Sequence, residues 1–120
     1  MSVISIRAAS LSELTAYAAE KRWEKETGGV TIAGVQVSTS RDSQAMITGA
    51  YSYSEANPDE TIKFKAASGW IEMDHNTVVA VANAVGAHVQ ACFSIEQAVS
   101  EAIAAGTITT REQIDAAFAA

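Results

Sequence analysis

Residues 28–51 read GGVTIAGVQVSTSRDSQAMITGAY, and this stretch decides the fold expected for the chain. Its first part alternates apolar and polar side chains around Ala33 and Gly34, which predicts a β-hairpin with a two-residue turn. Its second part opens with small polar residues that favour helix starts and continues with apolar residues at helical spacing. The stretch therefore predicts a ββα unit. The hairpin register places four residues on one apolar face: Val30, Ile32, Val35 and Val37.

A second ββα unit follows with the same layout. Residues 61–73 alternate in the manner of a hairpin that turns at residues 66–69. That register pairs Phe64 with Ile71 on an apolar face, and it pairs Lys63 with Glu72 on the opposite face. Asp74 then caps a long helix that we expect to reach about residue 105, where Gly106 ends it.

Two further helices flank these units. Ser10-x-x-Glu13 has the capping-box pattern and predicts a helix that runs to about Thr27. Thr109-x-x-Glu112 has the same pattern and predicts a short final helix. The expected fold class is α+β: two antiparallel hairpins, each followed by a helix, between an N-terminal and a C-terminal helix. We predict a single domain over residues 1–120, with residues 1–9 a flexible arm or an edge strand.

Composition narrows the function classes. The 120 residues carry a formal net charge of −6, which disfavours binding to nucleic acid and to anionic membrane surfaces. Cys92 is the single cysteine, so no disulfide can form within the chain, which fits a reducing compartment. The first residues lack the pattern of a secretory signal. We expect a cytoplasmic protein that binds neither nucleic acid nor membrane. The acidic residues of the first helix should be solvated: Glu13, Glu20, Glu24 and Glu26.

The polar run from Ser38 to Gln44 has two interpretations, an active site or the start of a helix. Serine, threonine and aspartate satisfy the free amides of a first helical turn, and Arg41 can reach back to a carboxylate or a strand carbonyl. A nucleophilic serine needs a general base, and neither histidine is near in sequence. The helix start explains every residue type, and we predict no catalytic residue here.

One face of the long helix carries groups that could bind a metal. His88, Cys92 and Glu96 recur every four residues. Three ligands on one short arc, without a second cluster of cysteine or histidine, are a weak metal signal. A packed histidine beside a small buried thiol is the favoured explanation. We predict no metal and no cofactor, and Cys92 should be buried and unreactive.

Aromatic and basic residues indicate a partner-binding surface. Trp70 falls on the polar face of the second hairpin with Lys63 and Lys65, and Trp23 lies among charged residues of the first helix. An aromatic residue on a polar face is typical of a contact surface. In the alternative interpretation, the N-terminal helix covers that face and buries one or both tryptophans. The residues favour this alternative slightly.

The long helix also suggests self-association. Several of its apolar residues follow a coiled-coil-like spacing, and Gly86 lies mid-helix, where glycine is unfavourable unless another helix packs closely. That partner helix could come from this chain or from a second copy. A homodimer is one expected outcome. The seam consists of Val81, Val85, Cys92, Ile95 and Val99, with His88 on the same line.

Three ordered segments carry a family resemblance. They are residues 28–51, residues 56–74 (ANPDETIKFKAASGWIEMD) and residues 79–93 (VAVANAVGAHVQACF). The set resembles a domain family of unknown function carried by tailed-phage and prophage proteins, found in or beside tail-fibre and tail-fibre-assembly proteins. The resemblance covers roughly residues 24–118. The chain departs from the family's pattern at Ala33, where asparagine is usual, so the geometry of that turn stays open.

The resemblance implies a tail-associated role and supplies no catalytic residues. We expect a non-enzymatic protein that acts in tail-fibre assembly as a chaperone-like or adaptor module, with a tail or tail-fibre protein as partner. It would work in the bacterial host cytoplasm during assembly. One alternative is a structural component of the virion tail, which would remain in the particle. The other is a small enzymatic or ligand-binding domain that uses the His88–Cys92 helix face.

Overall fold

A computed structural model of the chain describes residues 9–119. The predicted arm or edge strand at residues 1–9 therefore lies outside the described residues, apart from Ala9. The α+β fold class is confirmed, with four helices and two antiparallel hairpins. The elements in chain order are α1 (Leu11–Thr27), β1 (Val30–Ile32), β2 (Val35–Val37), α2 (Arg41–Ala56), β3 (Ile62–Ala66), β4 (Gly69–Met73), α3 (His75–Ala105) and α4 (Arg111–Phe118).

The described residues divide into two compact units, and the boundaries fall within α1 and α3. We call Glu26–Gln90 the hairpin unit, because it contains both hairpins and α2. We call the remainder, residues 9–25 and 91–119, the terminal unit. The prediction of a single domain stays a prediction.

The terminal unit is held by an all-helical core. Leu14 and Ala18 of α1, separated by one helical turn, are fully buried. They share a cluster with Ile103 of α3 and with Ile114 and Phe118 of α4, which also follow an i, i+4 spacing. Full burial of an aliphatic or aromatic side chain contributes about 2 kcal/mol, so this small cluster anchors three helices.

Both hairpins have the predicted register. Val30 pairs with Val37 around the turn at Ala33 and Gly34, and both turn residues have positive φ, 50° and 81°. These angles match a type I′ turn, which answers the open question of its geometry. In the second hairpin Phe64 pairs with Ile71 and Lys63 with Glu72, as predicted. Ala66 also pairs with Gly69, so the loop has two residues rather than the expected four.

The hairpin unit has a smaller core. Ile62 and Met73, which face each other across the second hairpin, pack with Val78 from the second turn of α3. Phe64, Ala50, Tyr51 and Val81 lie against this cluster and are partly buried. The alternating pattern of the strands therefore places one hairpin face against helices, as the sequence predicted.

Helix caps follow the sequence with one correction. Ser10 and Glu13 form the predicted capping box, with hydrogen bonds of 2.8 and 3.1 Å. The box of α4 consists of Thr110 and Gln113 rather than Thr109 and Glu112. The sequence contains both patterns one residue apart. Gln113 Oε1 accepts hydrogen bonds from the backbone N–H groups of Thr109 and Thr110, a role that glutamine fills as well as glutamate.

α3 is 31 residues long and, among the described residues, is the one helix with the length and apolar composition to cross a membrane. A helix in the core of a water-exposed domain meets the same two criteria, so they carry little weight. The absence of membrane binding stays a prediction.

Candidate functional site

The hairpin unit contains an open cavity of about 540 Å³, which we call the hairpin groove. The first hairpin contributes β2 and the turn before it, and the second hairpin contributes β4, the end of β3 and the turn between these two strands. Residues of α2 and α3 complete the lining. Its walls are mostly apolar, as in sites that bind organic ligands or protein segments. The main apolar residues are Val35, Val37, Ile47, Phe64, Ile71 and Val81.

The mouth of the hairpin groove exposes apolar side chains. Val35 of β2 is 60% exposed and Ile71 of β4 is 42% exposed. Ile47 and Met73, which also line the groove, are buried. The groove therefore joins the unit's interior to an uncovered apolar rim. Contiguous exposed apolar surface of this kind marks interaction sites more often than isolated residues do.

Charged groups lie at the same groove. Lys65, Glu72 and Asp74 are among its lining residues. Thr77 donates hydrogen bonds to the Asp74 carboxylate through its hydroxyl and its backbone N–H, and these bonds lower the pKa of Asp74. The N–H bond is 2.8 Å long, which is the expected geometry of a helix N-cap. Asp74 is therefore a fixed negative charge at neutral pH.

The predicted partner surface lies on the opposite face of the second hairpin, from which Lys65 and Glu72 also reach the edge of the groove. Trp70 is 73% exposed, and Lys65 Nζ lies 5.8 Å from the centroid of its indole ring. Lys63 is exposed, two residues from Lys65 on the same strand face. The structure thus brings these three predicted residues together. Trp70 also precedes Ile71, so the tryptophan surface and the hairpin groove meet on one strand.

Trp23 lies in the terminal unit, and its side chain is 48% exposed. The favoured expectation that the N-terminal helix buries one or both tryptophans was therefore wrong. Amphipathic tryptophan is compatible with either environment, and its burial depends on tertiary packing that local sequence does not encode.

The predicted self-association seam is largely buried. Val85, Cys92 and Val99 are at most 4% exposed, and Ile95 packs partly buried against the core of the terminal unit. Val81 packs in the same way in the hairpin unit. These side chains already have apolar surroundings in one chain, so they offer little surface to a second copy. Self-association itself stays a prediction.

The side chains of the His88–Cys92 face are partly or fully buried. Cys92 is fully buried, as predicted, and His88 is half-buried. Glu96 accepts a 2.8 Å hydrogen bond from Arg22 in the terminal unit. Within residues 9–119 no group of three side chains is placed to hold a metal ion. The structure supports the interpretation of this face as packing.

The polar run between β2 and α2 is a structural cluster, and its centre was not predicted. Glu26 was expected to be solvated but is fully buried. Arg41 donates two hydrogen bonds to its carboxylate, and Gln44 Nε2 donates a third at 3.0 Å. Thr39 donates to the Glu26 carbonyl at 2.6 Å. The signal in the sequence was the pairing of an arginine with a carboxylate, but nothing local singled out Glu26 from its neighbours.

A smaller cavity of about 290 Å³ lies in the terminal unit. Its charged residues already pair with one another: Lys21 Nζ lies 3.6 Å from carboxylate oxygens of both Glu24 and Asp115. Lys25 Nζ donates to the carbonyl of Phe118 at 2.7 Å. These groups hold α1 to α4, so the hairpin groove is the stronger candidate site.

Comparison with known proteins assigns the chain to one family. Residues 9–119 match the domain of unknown function DUF4376, and the chain belongs to that family. No curated protein and no solved structure matches the chain. The expectation of a domain of unknown function is confirmed. Its link to phage tails stays a prediction.

Proposed function

We propose that this chain is a protein-binding module that acts without catalysis in the assembly of phage or prophage tail fibres, as a chaperone-like or adaptor protein. The observation that carries the proposal is the exposed tryptophan beside an open apolar groove. Tryptophan is among the residues that contribute most to protein interfaces, and a groove with an exposed apolar rim suits a protein segment. The assignment to tail fibres comes from the sequence resemblance alone.

The surface chemistry fits this role. Lys63 and Lys65 lie beside Trp70, so a partner with acidic residues would be attracted before it contacts the indole ring. The apolar groove would then hold the partner after contact. Solvated lysines mainly affect the rate of association, whereas a desolvated tryptophan mainly affects the lifetime of the complex.

The experiment is co-expression with a tail-fibre protein encoded in the same phage or prophage genome, followed by co-purification and a measurement of fibre solubility. Trp70→Ala should weaken the complex at least about tenfold, because a central tryptophan contributes roughly 2 kcal/mol or more. Trp23→Ala is the matched control, since it removes the same side chain from the terminal unit. An equal loss in both variants would contradict the assignment of the contact to the second hairpin.

Purified virions separate an assembly factor from a structural part of the tail. An assembly factor is present in the host cytoplasm and absent from the particle, whereas a structural component co-purifies with it. If deletion of the gene leaves fibre yield, fibre solubility and virion composition unchanged, the proposed function is wrong.

A further inference from the structure

The free edge of β4 has unused hydrogen-bonding capacity. Within residues 9–119, β3 and β4 form a two-stranded sheet, so each of the two strands has one edge without a neighbouring strand from that part of the chain. Ala66 and Gly69 pair directly across a two-residue loop, which makes them a hydrogen-bonded pair. Hydrogen-bonded and non-hydrogen-bonded pairs alternate along an antiparallel ladder, so the backbone N–H and C=O groups of Trp70 and Glu72 point away from β3. Among the described residues, no other backbone group bonds to either of them.

The hairpin groove lies along this same strand. Four consecutive residues from Ile71 to Asp74 line it, whereas β3 contributes only residues 64–66 next to the turn. Successive side chains of a strand point to opposite faces, so a cavity in contact with residues 71–73 reaches the backbone of β4. Away from the turn only β4 lines the groove, because Glu72 and Met73 do so and their cross-strand partners Lys63 and Ile62 do not. The groove is therefore open to the edge of β4, where the unpaired backbone groups lie.

We propose that the hairpin groove receives an extended segment of the partner protein, which adds to the free edge of β4 as a third strand. The inference deepens the proposed function, on which it rests for the nature of the occupant. Main-chain hydrogen bonds would provide affinity, and alternate side chains would provide specificity, as in other complexes formed by strand addition. Residues on one face of the segment would enter the groove beside Ile71, and those on the other face would lie beside Trp70.

Charge and polarity define the chemistry of that segment. Its groove-facing positions should be apolar and β-branched, because they meet Val35, Ile71 and other apolar walls. Its outward position beside Glu72 should be basic, since no ion pair to Glu72 exists among the described residues and its charge is exposed. Lys63 and Lys65 belong to β3, so the acidic residues that they attract would lie in the partner outside this segment. An arginine there could also stack on the exposed indole of Trp70.

The first test measures amide hydrogen exchange of the full chain by NMR. The probe is the peptide acetyl-Thr-Val-Arg-Val-Thr-Val-Thr-amide, and the co-expressed fibre protein serves as a second probe. Strand addition should slow exchange of the Trp70 and Glu72 amides at least about tenfold when bound, because each becomes hydrogen-bonded. The Lys63 and Lys65 amides, which face the opposite edge, should be unchanged. Unchanged Trp70 and Glu72 amides with both probes would overturn the inference.

The second test uses proline, which removes a backbone donor. Glu72→Pro deletes an N–H that the hairpin itself does not use, so the fold should persist, as proline is tolerated at strand edges. Lys63→Pro is the matched control on the other edge. Glu72→Pro should weaken peptide binding at least about tenfold while Glu72→Gln, which keeps the donor, weakens it less. Equal effects of the two proline variants would count against strand addition.

The two proposals can fail separately. If the fibre protein co-purifies while the Trp70 and Glu72 amides exchange at unchanged rates, the proposed function stands and strand addition is wrong. If the peptide protects those amides and the fibre protein does not co-purify, strand addition stands and the assignment of the partner is wrong.

N-methylation of alternate peptide residues gives an independent check. One methylated set should lose binding and the other should keep it, because only one set faces β4.

Discussion

The buried carboxylate of Glu26 is held by the guanidinium of Arg41 through two hydrogen bonds, although the arginine side chain itself is 51% exposed. The pair joins the end of α1 to the first residue of α2 within the hairpin unit. Loss of Arg41 would leave the interior carboxylate of Glu26 without this positive charge, which costs far more than loss of a surface pair.

Arg41→Gln should lower the free energy of unfolding by about 3 kcal/mol, the lower end of the range for a broken buried pair, since Arg41 keeps some contact with water. Urea denaturation monitored by circular dichroism measures the change. Asp42→Asn, one residue along in the same exposed turn, is the control and should change it by less than about 0.5 kcal/mol. The double variant Glu26→Gln, Arg41→Gln should recover part of the loss, and failure to do so would exclude an unpaired charge as the cause.

The glycine in the middle of α3 should be replaceable. Beyond its chain neighbours and the backbone of its own helix, a Cβ added to Gly86 would meet no atom within 4 Å. Gly86→Ala should therefore raise the free energy of unfolding by about 1 kcal/mol through helix propensity. Gly49→Ala in α2 has equally open space and should give a similar gain. Sedimentation of both variants would reveal a packed second copy: a loss of stability or of dimer for Gly86→Ala alone would contradict open space at this position.

The N-cap of α3 should make the free energy of unfolding depend on pH in the acidic range. Hydrogen bonds from Thr77 hold the pKa of Asp74 below its ordinary value of 3.8. Because the pKa of Asp74 is lower in the folded chain than in the unfolded chain, its carboxylate stabilises the fold at pH values above the unfolded pKa. This stabilisation is lost as the pH falls through the folded pKa. In Asp74→Asn, which keeps a capping side chain, the free energy of unfolding should decline less steeply below about pH 4.

Thr77→Val provides the comparison for the acid test, because it removes the hydroxyl donor and keeps the backbone N–H donor. Its stability should show an intermediate dependence on pH, measured by urea denaturation at a series of pH values. Parallel curves for Asp74→Asn and the unaltered chain would show that Asp74 does not link folding to pH.

Cys92 should react slowly with thiol reagents. It is fully buried, so labelling must wait for the surrounding structure to open. We expect a rate at least about a hundredfold below that of the same thiol in urea. Ser94→Cys, at an exposed position of the same helix, should add one equivalent that labels rapidly. Rapid labelling of the unaltered native chain would show that the thiol is accessible.

Local patterns predicted the elements of this fold well. The register of the second hairpin followed from the alternation of Phe64, Lys65 and Ile71, because a shift by one residue would have turned the apolar side chains outward. The boundary of α4 was misplaced by one residue, since Thr109 and Thr110 each begin a plausible capping box. Local sequence predicts the position of such a cap to within one residue, and it does not decide between two adjacent candidates.

The tertiary contacts of the hairpin unit could not be predicted from local sequence in the same way. Burial of Glu26 depends on Arg41 and Gln44, which reach it from a different helix. The hairpin groove arises from the spacing between β2 and β4, which belong to separate sheets. No local pattern records that spacing. The grouping of Lys63, Lys65 and Trp70 on one face was predicted correctly because it depends only on strand alternation.

The division of the chain into units has a consequence for the order of folding. The hairpin unit is one continuous stretch, so its whole sequence leaves the ribosome before the terminal unit can be completed. Leu14 and Ala18 are synthesised early, yet the core they enter is closed by Ile114 and Phe118 of the last helix. Part of the cover over their apolar side chains is therefore missing until Ile114 and Phe118 have been synthesised, which exposes the nascent chain to aggregation. A chain truncated before α4 would thus uncover Leu14 and Ala18 of α1, which lie far from the truncation in sequence.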